Sequence, residues 1–241
     1  MQDYVLRPVT AGLRLELLPG ERAAPPGLEP AVAAAWEAAQ ARAGGRLFNG
    51  RVFSVEGASA GLLTGRLVEY RQVVAGFSDP ALAAALTVRP LSVCGVLRTA
   101  EGVVFGRRSG EATYEAGLWQ MPPAGSVDAG AVRDGRVDAE AALREELAEE
   151  LGLSWEAVAA CRPFALVEHL GSGVRDLGFL LETRLGFAAV AAAAAARGNG
   201  EYQELVAVPE AELAGWLAAR PGRVVPAAGM FLRALGLVPA G

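Results

Sequence analysis

One predicted helix, residues 138–151 followed by Gly152, constrains the fold of this chain more than any other segment. Its apolar side chains recur at helical spacing and form one stripe, made of Ala141, Ala142, Leu143, Leu147 and Leu151. A stripe with this period packs against a hydrophobic core. Gly152 is a typical C-terminal cap, because glycine adopts left-handed backbone angles without steric cost. The chain must therefore build a core that receives one face of this helix.

The opposite face of the predicted helix is acidic. Glu146, Glu149 and Glu150 are spaced i, i+3 and i+4, so their Cβ atoms lie about 5–6 Å apart on a helix. Like charges at this spacing repel, and a divalent cation is the simplest partner that makes the arrangement favourable. An all-oxygen ligand set favours Mg²⁺ or Mn²⁺ over zinc. The alternative is a solvated acidic face, since glutamate is a strong helix former.

Charge and composition exclude several classes of protein. The 241 residues include 22 Lys+Arg and 27 Asp+Glu, and the net charge of −5 argues against a nucleic-acid-binding protein. The longest apolar run, residues 187–196, is about half as long as the roughly 20 residues of a membrane helix. We therefore expect a soluble, cytoplasmic protein with no nucleic-acid or membrane partner. Cys94 and Cys161 lie far apart in apolar stretches and are predicted to be buried thiols.

The chain is predicted to divide at residue 88. Residues 1–88 are expected to form a small N-terminal α+β domain, and residues 89–241 a larger domain. The predicted strands are residues 14–18, 51–57, 61–74, 91–99, 102–108, 164–170, 177–185 and 204–209. The predicted helices are residues 29–42, a short one within 78–90, and residues 138–151, 210–219 and 227–235. Because strands alternate with helices, the fold class is α/β (α+β).

Three short blocks carry a resemblance to a known family. Residues 117–128 read GLWQMPPAGSVD, residues 145–153 read EELAEELGL, and residues 200–213 read GEYQELVAVPEAEL. The second block fits eight of the last nine positions of the Nudix hydrolase signature, G-x5-E-x7-R-E-U-x-E-E-x-G-U, where U is a bulky aliphatic residue. The first is similar to the W-x-x-P-G-G segment before that signature, and the third to the E-x-x-E segment after it. The three blocks occur in the same order as in the family, across residues 90–237. This shared order is stronger evidence for the resemblance than any single block.

This resemblance implies a Nudix-type α/β/α sandwich with a mixed sheet, preceded by the small α+β domain. It also implies Mg²⁺- or Mn²⁺-dependent hydrolysis of a small-molecule nucleoside diphosphate linked to another moiety. The metal ligands that it implies, three of them also catalytic, are Glu146, Glu149, Glu150 and the backbone carbonyl of Ala124. The candidate substrate contacts are Gly125 and, at the end of a predicted strand, Arg107 and Arg108. The candidate general base is Glu204 or Glu201.

The signature is interrupted before the helix, where the chain is several residues too long. Ala131 or Val137 stands where the first signature glutamate belongs, and Glu145 occupies the arginine position. Arg144, one position earlier on the helix, and Arg136, in the preceding loop, are the candidate replacements. These departures motivate two alternatives. One is a nucleotide-binding or regulatory module that has lost catalysis, and the other is a structural domain with a solvated acidic face.

The N-terminal extension narrows the choice of substrate. Residues 47–57 and 65–77, together with the altered signature, resemble the branch of UDP-sugar pyrophosphatases that split UDP-glucose and UDP-galactose. An ADP-ribose-type pyrophosphatase is the alternative. Tyr70 and Arg71 are further candidate contacts on the extension. The nucleobase, the number of metal ions and the oligomeric state stay open, with a homodimer among the alternatives.

Overall fold

A computed structural model of the chain describes residues 4–110 and 115–239, in which strands and helices alternate. The strands are β1 (Tyr4–Pro8), β2 (Arg14–Leu17), β3 (Arg51–Ala58), β4 (Leu62–Glu69), β5 (Leu91–Thr99), β6 (Gly102–Arg108), β7 (Trp119–Gln120), β8 (Ala124–Ser126), β9 (Val132–Arg133), β10 (Arg136–Val137), β11 (Val158–His169), β12 (Arg175–Thr183) and β13 (Tyr202–Val208). The helices are α1 (Glu29–Arg42), α2 (Tyr70–Ser78), α3 (Pro80–Leu86), α4 (Ala139–Leu151), α5 (Phe187–Arg197), α6 (Leu213–Ala218) and α7 (Pro226–Ala234).

The main sheet has the strand order β1-β11-β12-β5-β6-β13. It is mixed, because β5 runs parallel to β12 while the other neighbours are antiparallel. The hairpin strands β5 and β6 pair next to their turn, between Arg98 and Val103 and between Thr99 and Gly102. Farther from the turn, β8 pairs with β5 and β7 pairs with β6. The two central strands therefore separate, and the segment from β7 to β8 fills the gap between them.

Helices cover both faces of the main sheet. On one face the side chains of α4 and α5, including Leu143, Leu147 and Val190, join a buried cluster with alternate residues of the sheet. On the other face, a second cluster brings together α6, α7 and the intervening sheet residues, including Phe105 and Phe231. Two clusters on opposite faces of one sheet define three layers. The structure thus confirms the α/β/α sandwich expected from the sequence.

A second sheet, with the order β3-β4-β2-β10-β9, combines N-terminal strands with the short hairpin that follows β8. The side chains of Leu15, Phe53 and Leu63 from this sheet enter the same buried cluster as α4. The opposite side of the sheet contacts a third cluster, formed with residues of α1, α2 and α3. Because β1 pairs with β11 and β2 pairs with β10, both sheets contain strands from either side of residue 88. The division at residue 88 stays a prediction about folding units.

Helix α4 has the ends and the apolar face that the sequence predicts. The side chain of Asp138 accepts a hydrogen bond of 2.9 Å from the backbone N–H of Ala141, which caps the N-terminus. Gly152 has φ = 60°, a left-handed conformation that glycine adopts readily at the end of a helix. The side chains of Leu143, Leu147 and Leu151 are fully buried. Glu146 and Glu150 lie at the edge of this buried face, beside β8, whereas Glu145 and Glu149 are exposed.

Residues 70–74 differ from the sequence-based expectation. They were expected to continue a strand as part of residues 61–74, but the chain begins helix α2 at Tyr70. Tyr70, Val73, Val74 and Phe77 are spaced i, i+3, i+4 and i+7, so a helix places them together where a strand would separate them. Burial against α1 and α3 outweighs the strand propensity of aromatic and β-branched residues.

Smaller predictions have mixed outcomes. The predicted helix 210–219 begins as a 3₁₀ turn, Glu210–Glu212, and continues as α6. Cys94 is buried and Cys161 is partly buried, and both are free thiols. Across residues 4–110 and 115–239, no helix has both the length and the apolar character needed to cross a bilayer.

Candidate active site

A cavity of about 560 Å³ opens beside the gap between β5 and β6. It is lined by Gln120 and Ala124 of the gap segment and by Cys94 of β5. Residues of α2 and α7 also line it, so the N-terminal part of the chain contributes to its wall. A concave, largely apolar space with a few polar groups is the usual form of a small-molecule site.

Glu150 places a carboxylate next to Ala124, which lines this cavity. The residue is 3% exposed, and its Oε2 accepts a hydrogen bond of 3.0 Å from the backbone N–H of Ala124. The hydroxyl of Tyr202 donates to the same carboxylate, at 3.3 Å from Oε1 and 3.4 Å from Oε2. Burial raises the pKa of Glu150 well above its usual range, and the nearby charges of Glu201 and Glu146 raise it further. The carboxylate is thus fixed in direction, and the charge of Arg108 offsets only part of the effect of burial.

Glu146 lies one helical turn before Glu150 and packs against Gly125. A Cβ atom at Gly125 would stand 1.6 Å from Oε1 of Glu146, so the glutamate occupies space that only glycine leaves free. Burial raises the pKa of Glu146 to about 8, with a further contribution from the charge of Glu149. Gly125 therefore acts here by admitting a carboxylate, which is a different role from the substrate contact proposed for it from the sequence.

Glu149 is oriented differently from the other two glutamates. It is exposed, and its backbone carbonyl accepts a hydrogen bond of 2.7 Å from the N–H of Asn199. Among the described residues, no group of three or more His, Cys, Asp or Glu side chains stands in the arrangement of a metal site. The donor chemistry nevertheless fits a hard dication, because the carboxylate of Glu150 is held by Ala124 and that of Glu146, beside Gly125, is near enough to raise the pKa of Glu150.

Arg108 lines the cavity, whereas Arg107 does not. An Nη atom of Arg108 lies 2.9 Å from a carboxylate oxygen of Glu201, and the guanidinium also donates to Gln120. The Nε atom of Arg108 is buried and has no hydrogen-bond partner within the described part of the chain. Nε of Arg107 lies 3.3 Å from a carboxylate oxygen of Glu204, and the two side chains are about half exposed on the sheet. Of the two candidate bases, Glu201 is the one that faces the cavity.

The candidate replacements for the signature arginine have other contacts. Arg144 pairs with Glu140, and its guanidinium carbon lies 4.9 Å from the ring centre of Trp155. Arg136 lies on β10, where it is exposed and pairs with β2 and β9. The donors that hold Glu150 are instead a backbone amide and a phenol.

The sequence did not predict a role in the site for Glu115 and Asp176 of the cavity wall, for Tyr202 beside Glu150, or for Cys94, which was expected only to be a buried thiol. Burial raises the pKa of Asp176 to about 7, and the thiol of Cys94 donates a hydrogen bond to its carboxylate. Burial likewise raises the pKa of Glu115 to about 7, and the charge of Asp176 adds to this effect. In the sequence, Asp176 stands directly before an apolar strand, and an aspartate at that position is equally typical of a turn residue and of a site residue. Nothing in the sequence singles out Tyr202.

The chain belongs to the NUDIX domain family. The family model for the NUDIX domain matches residues 88–225, which is more than half of the chain. This match confirms the family expected from the sequence and supports the predicted class of enzyme, a pyrophosphohydrolase. Comparison with curated proteins finds no match.

Several solved structures are similar to this chain at low sequence identity. DR0079 from Deinococcus radiodurans is 18% identical with a TM-score of 0.49, and the alignment covers 76% of this chain and 97% of that one. A bifunctional NMN adenylyltransferase/ADP ribose pyrophosphatase from Francisella tularensis is 13% identical with a TM-score of 0.43, covering 69% and 47%. A mutant form of the pyrophosphohydrolase BsRppH from Bacillus subtilis is 15% identical with a TM-score of 0.38, covering 61% and 82%. These likenesses carry no conclusion about the substrate.

Proposed function

We propose that this protein is a Mg²⁺- or Mn²⁺-dependent pyrophosphohydrolase that cleaves a nucleoside diphosphate linked to another moiety. The observation that carries the proposal is the pair of carboxylates at the cavity: Glu146 lines it and is half-buried, and Glu150 is buried next to Ala124. Two buried like charges are unfavourable unless a counter-charge joins them. A nucleotide sugar such as UDP-glucose and an ADP-ribose-type compound are both candidate substrates.

The residues that would hold the cation are Glu146, Glu149, Glu150 and the backbone carbonyl of Ala124. When bound, a hard dication neutralises charge on the diphosphate and lowers the pKa of an attacking water. The chain itself fixes Glu150 through the N–H of Ala124 and the hydroxyl of Tyr202. Glu149 has to turn toward the cavity, which its exposed position on the helix permits.

Arg108 and Glu201 complete the proposed site. The unpartnered Nε of Arg108 is available to donate to a phosphate oxygen of the substrate. Glu201 lines the same cavity and lies close enough to Glu146 and Glu150 to raise the pKa of both. We therefore favour Glu201 over Glu204 as the group that accepts the proton of the attacking water. Arg107 and Glu204 keep a supporting role as an ion pair on the sheet.

A second candidate is a nucleotide-binding module without catalysis. The observation that favours it is the exposed position of Glu149, together with the contacts that hold Arg144 on Trp155. In such a module, the cavity and Arg108 would bind a nucleotide without a cation being required.

The experiment that separates the two incubates the purified protein with Mg²⁺ and with UDP-glucose, ADP-ribose or a diadenosine polyphosphate. We expect release of a nucleoside monophosphate from at least one compound, loss of this release in EDTA, and recovery when Mg²⁺ is restored. A folded protein that converts none of the three would reject the enzyme. Metal-independent nucleotide binding in that case would support the second candidate.

A further inference from the structure

The cavity extends well beyond the glutamates of α4. Part of its wall comes from two helices that are distant in the sequence, with Tyr70, Val73 and Phe77 on α2 and with Ala227 and Phe231 on α7. These side chains are apolar or aromatic, and aromatic rings bind the flat faces of bases and sugars. A volume of about 560 Å³ lies within the usual range for small-molecule sites. The space therefore suits a group larger than a diphosphate.

Asp176 lines this space on a different strand from the residues beside Glu146. It lies on β12, which is separated from β8 by a single strand, β5. Since neighbouring strands are spaced about 4.8 Å apart, the backbone of Asp176 lies about 10 Å from that of β8, beside which Glu146 packs. A group bonded to the diphosphate reaches Asp176 from there, whereas the diphosphate itself stays near Glu146 and Glu150.

The polar groups at this end accept hydrogen bonds more readily than they attract anions. The carboxyl of Asp176 accepts from the thiol of Cys94, and the carboxyl of Glu115 is near enough to be affected by its charge. A neutral amino or hydroxyl group donates to such carboxyls. A phosphate has no proton to donate when fully ionised, and it would meet like charge at this position.

We propose that Asp176, walled by Tyr70 and Phe77 from the N-terminal part of the chain, forms a specificity subsite for a neutral, hydrogen-bond-donating group attached to the diphosphate. This inference rests on the proposed function, and it adds a statement of which diphosphates the enzyme accepts as substrates. The subsite selects diphosphates capped by such a group and rejects a further phosphate in its place. In ADP-glucose and ADP-ribose this group is a sugar with donating hydroxyls, and ATP carries a phosphate in its place.

The test compares four compounds at pH 8.5 with Mg²⁺: UDP-glucose, ADP-glucose, ADP-ribose and ATP. We expect kcat/KM for at least one capped diphosphate to exceed that for ATP by about tenfold or more. The Asp176→Asn variant should lose about tenfold on that compound and lose nothing on ATP. The Asp134→Asn variant makes the same change at an exposed loop residue and should match the wild type on all four.

The pattern of losses identifies the bound group. If Asp176 contacts the sugar, the loss in Asp176→Asn is similar for UDP-glucose and ADP-glucose, which share a sugar, and differs between ADP-glucose and ADP-ribose, which share a base. A loss that ATP shares with ADP-glucose and ADP-ribose would place Asp176 at the adenine that all three carry, and would reject the subsite. The Tyr70→Ala variant should raise KM for the same compounds and leave KM for ATP unchanged, which covers the case in which Asp176→Asn does not fold.

Three results would overturn the subsite. The first is a preference of the wild type for ATP, which is expected if Arg46 on the cavity wall binds a third phosphate. The second is an equal loss of kcat/KM on all four compounds in Asp176→Asn, and the third is no loss on any of them. If the wild type converts none of the four compounds, the proposed function is rejected. The subsite is then tested separately by measuring binding affinities by calorimetry without metal. ADP-ribose or ADP-glucose should then bind more tightly than ATP, with the difference abolished in Asp176→Asn. Equal affinities for wild type and variant would reject the subsite as well.

Discussion

The two ends of the cavity both contain buried carboxyl groups, but they differ in what surrounds them. At one end Glu150 accepts hydrogen bonds from the N–H of Ala124 and the hydroxyl of Tyr202, next to the second carboxylate of Glu146. At the other end Asp176 has the thiol of Cys94 as its hydrogen-bond donor and apolar helices beside it. The first end holds its carboxylates in fixed directions, while the second leaves one carboxyl available to a ligand.

This difference shows that neighbours, rather than the side-chain type, decide what a carboxyl group does. Burial raises the pKa of Glu146 at one end and of Asp176 at the other. The ionised form of each carboxyl group is therefore unfavourable while no ligand is bound. Directed donors and a second carboxylate make the Glu150 end suited to a cation. The Asp176 end, with a weak donor and apolar walls, is suited to a neutral donor group. Substitutions at each end should therefore change different properties.

The largest effect is expected from Glu150→Gln, which removes one charge from the cation end. We expect turnover to fall by about 10²–10³-fold, comparable to the loss of one electrostatic contact in other active sites. The unfolding temperature should stay nearly unchanged, because the glutamine oxygen still accepts from Ala124 and a repulsion is relieved. Steady-state kinetics and thermal unfolding measure the two effects. Glu145→Gln, at an exposed position of the same helix, is the matched control, and unchanged turnover in Glu150→Gln would remove Glu150 from the mechanism.

A somewhat smaller effect is expected from Gly125→Ala. The added methyl would overlap Oε1 of Glu146, so the carboxylate has to move and both turnover and cation affinity should fall by about 10–100-fold. Binding of Mn²⁺ measured without substrate reports the cation affinity independently of activity. Gly110→Ala is the control, since a Cβ at Gly110 would meet no atom of the described residues within 4 Å. Wild-type Mn²⁺ affinity in Gly125→Ala would show that the position of Glu146 is not important for the cation.

A third substitution, Tyr202→Phe, removes the phenol that donates to Glu150 and keeps the ring. We expect about a tenfold weaker affinity for Mg²⁺ or Mn²⁺, and a much smaller loss of kcat when the cation is saturating, because the carboxylate remains in place but is less well oriented. Titration of activity and of Mn²⁺ binding separates the two quantities. Tyr4→Phe, on β1 away from the cavity, should change neither. An equal loss of kcat at all cation concentrations would contradict a positioning role for Tyr202.

The smallest effect concerns stability at the Asp176 end. The folded pKa of Asp176 is about 7 against an ordinary value of 3.8, so the folded state binds the proton more tightly than the unfolded state. The stabilising contribution is complete below the ordinary value and is lost as the pH rises from about 4 to about 7. Asp176→Asn should therefore raise the unfolding temperature more at pH 8.5 than at pH 5. A difference independent of pH would show that Asp176 does not titrate in this way.

Local signals made much of the fold predictable. Helix α4 follows from its apolar spacing and from Gly152, and the hairpin of β5 and β6 follows from its turn residues. Helix α2 was not predicted, because its burial against α1 and α3 depends on elements that local propensity does not include. The pairing of β1 with β11 was not predicted either, since it joins segments more than 150 residues apart.

The candidate site was predictable to a similar extent. Glu146 and Glu150 are visible in the sequence because their spacing places them on one helical face. The orientation of Glu149 is not visible, since it depends on how the helix is rotated against the sheet. Tyr202 and Asp176 approach the cavity from strands β13 and β12, and the register of those strands decides which side they face. Such contacts follow from tertiary structure and leave no local pattern.

The hairpin of β9 and β10 lies within the stretch that makes the signature several residues too long, and it connects that stretch to β2. The inserted residues thus serve as the attachment point for the sheet whose helices supply Tyr70 and Phe77. In evolutionary terms, we expect the insertion and the N-terminal extension to be gained or lost together. Relatives that have lost either should have lost the other, and they should accept a broader range of diphosphates.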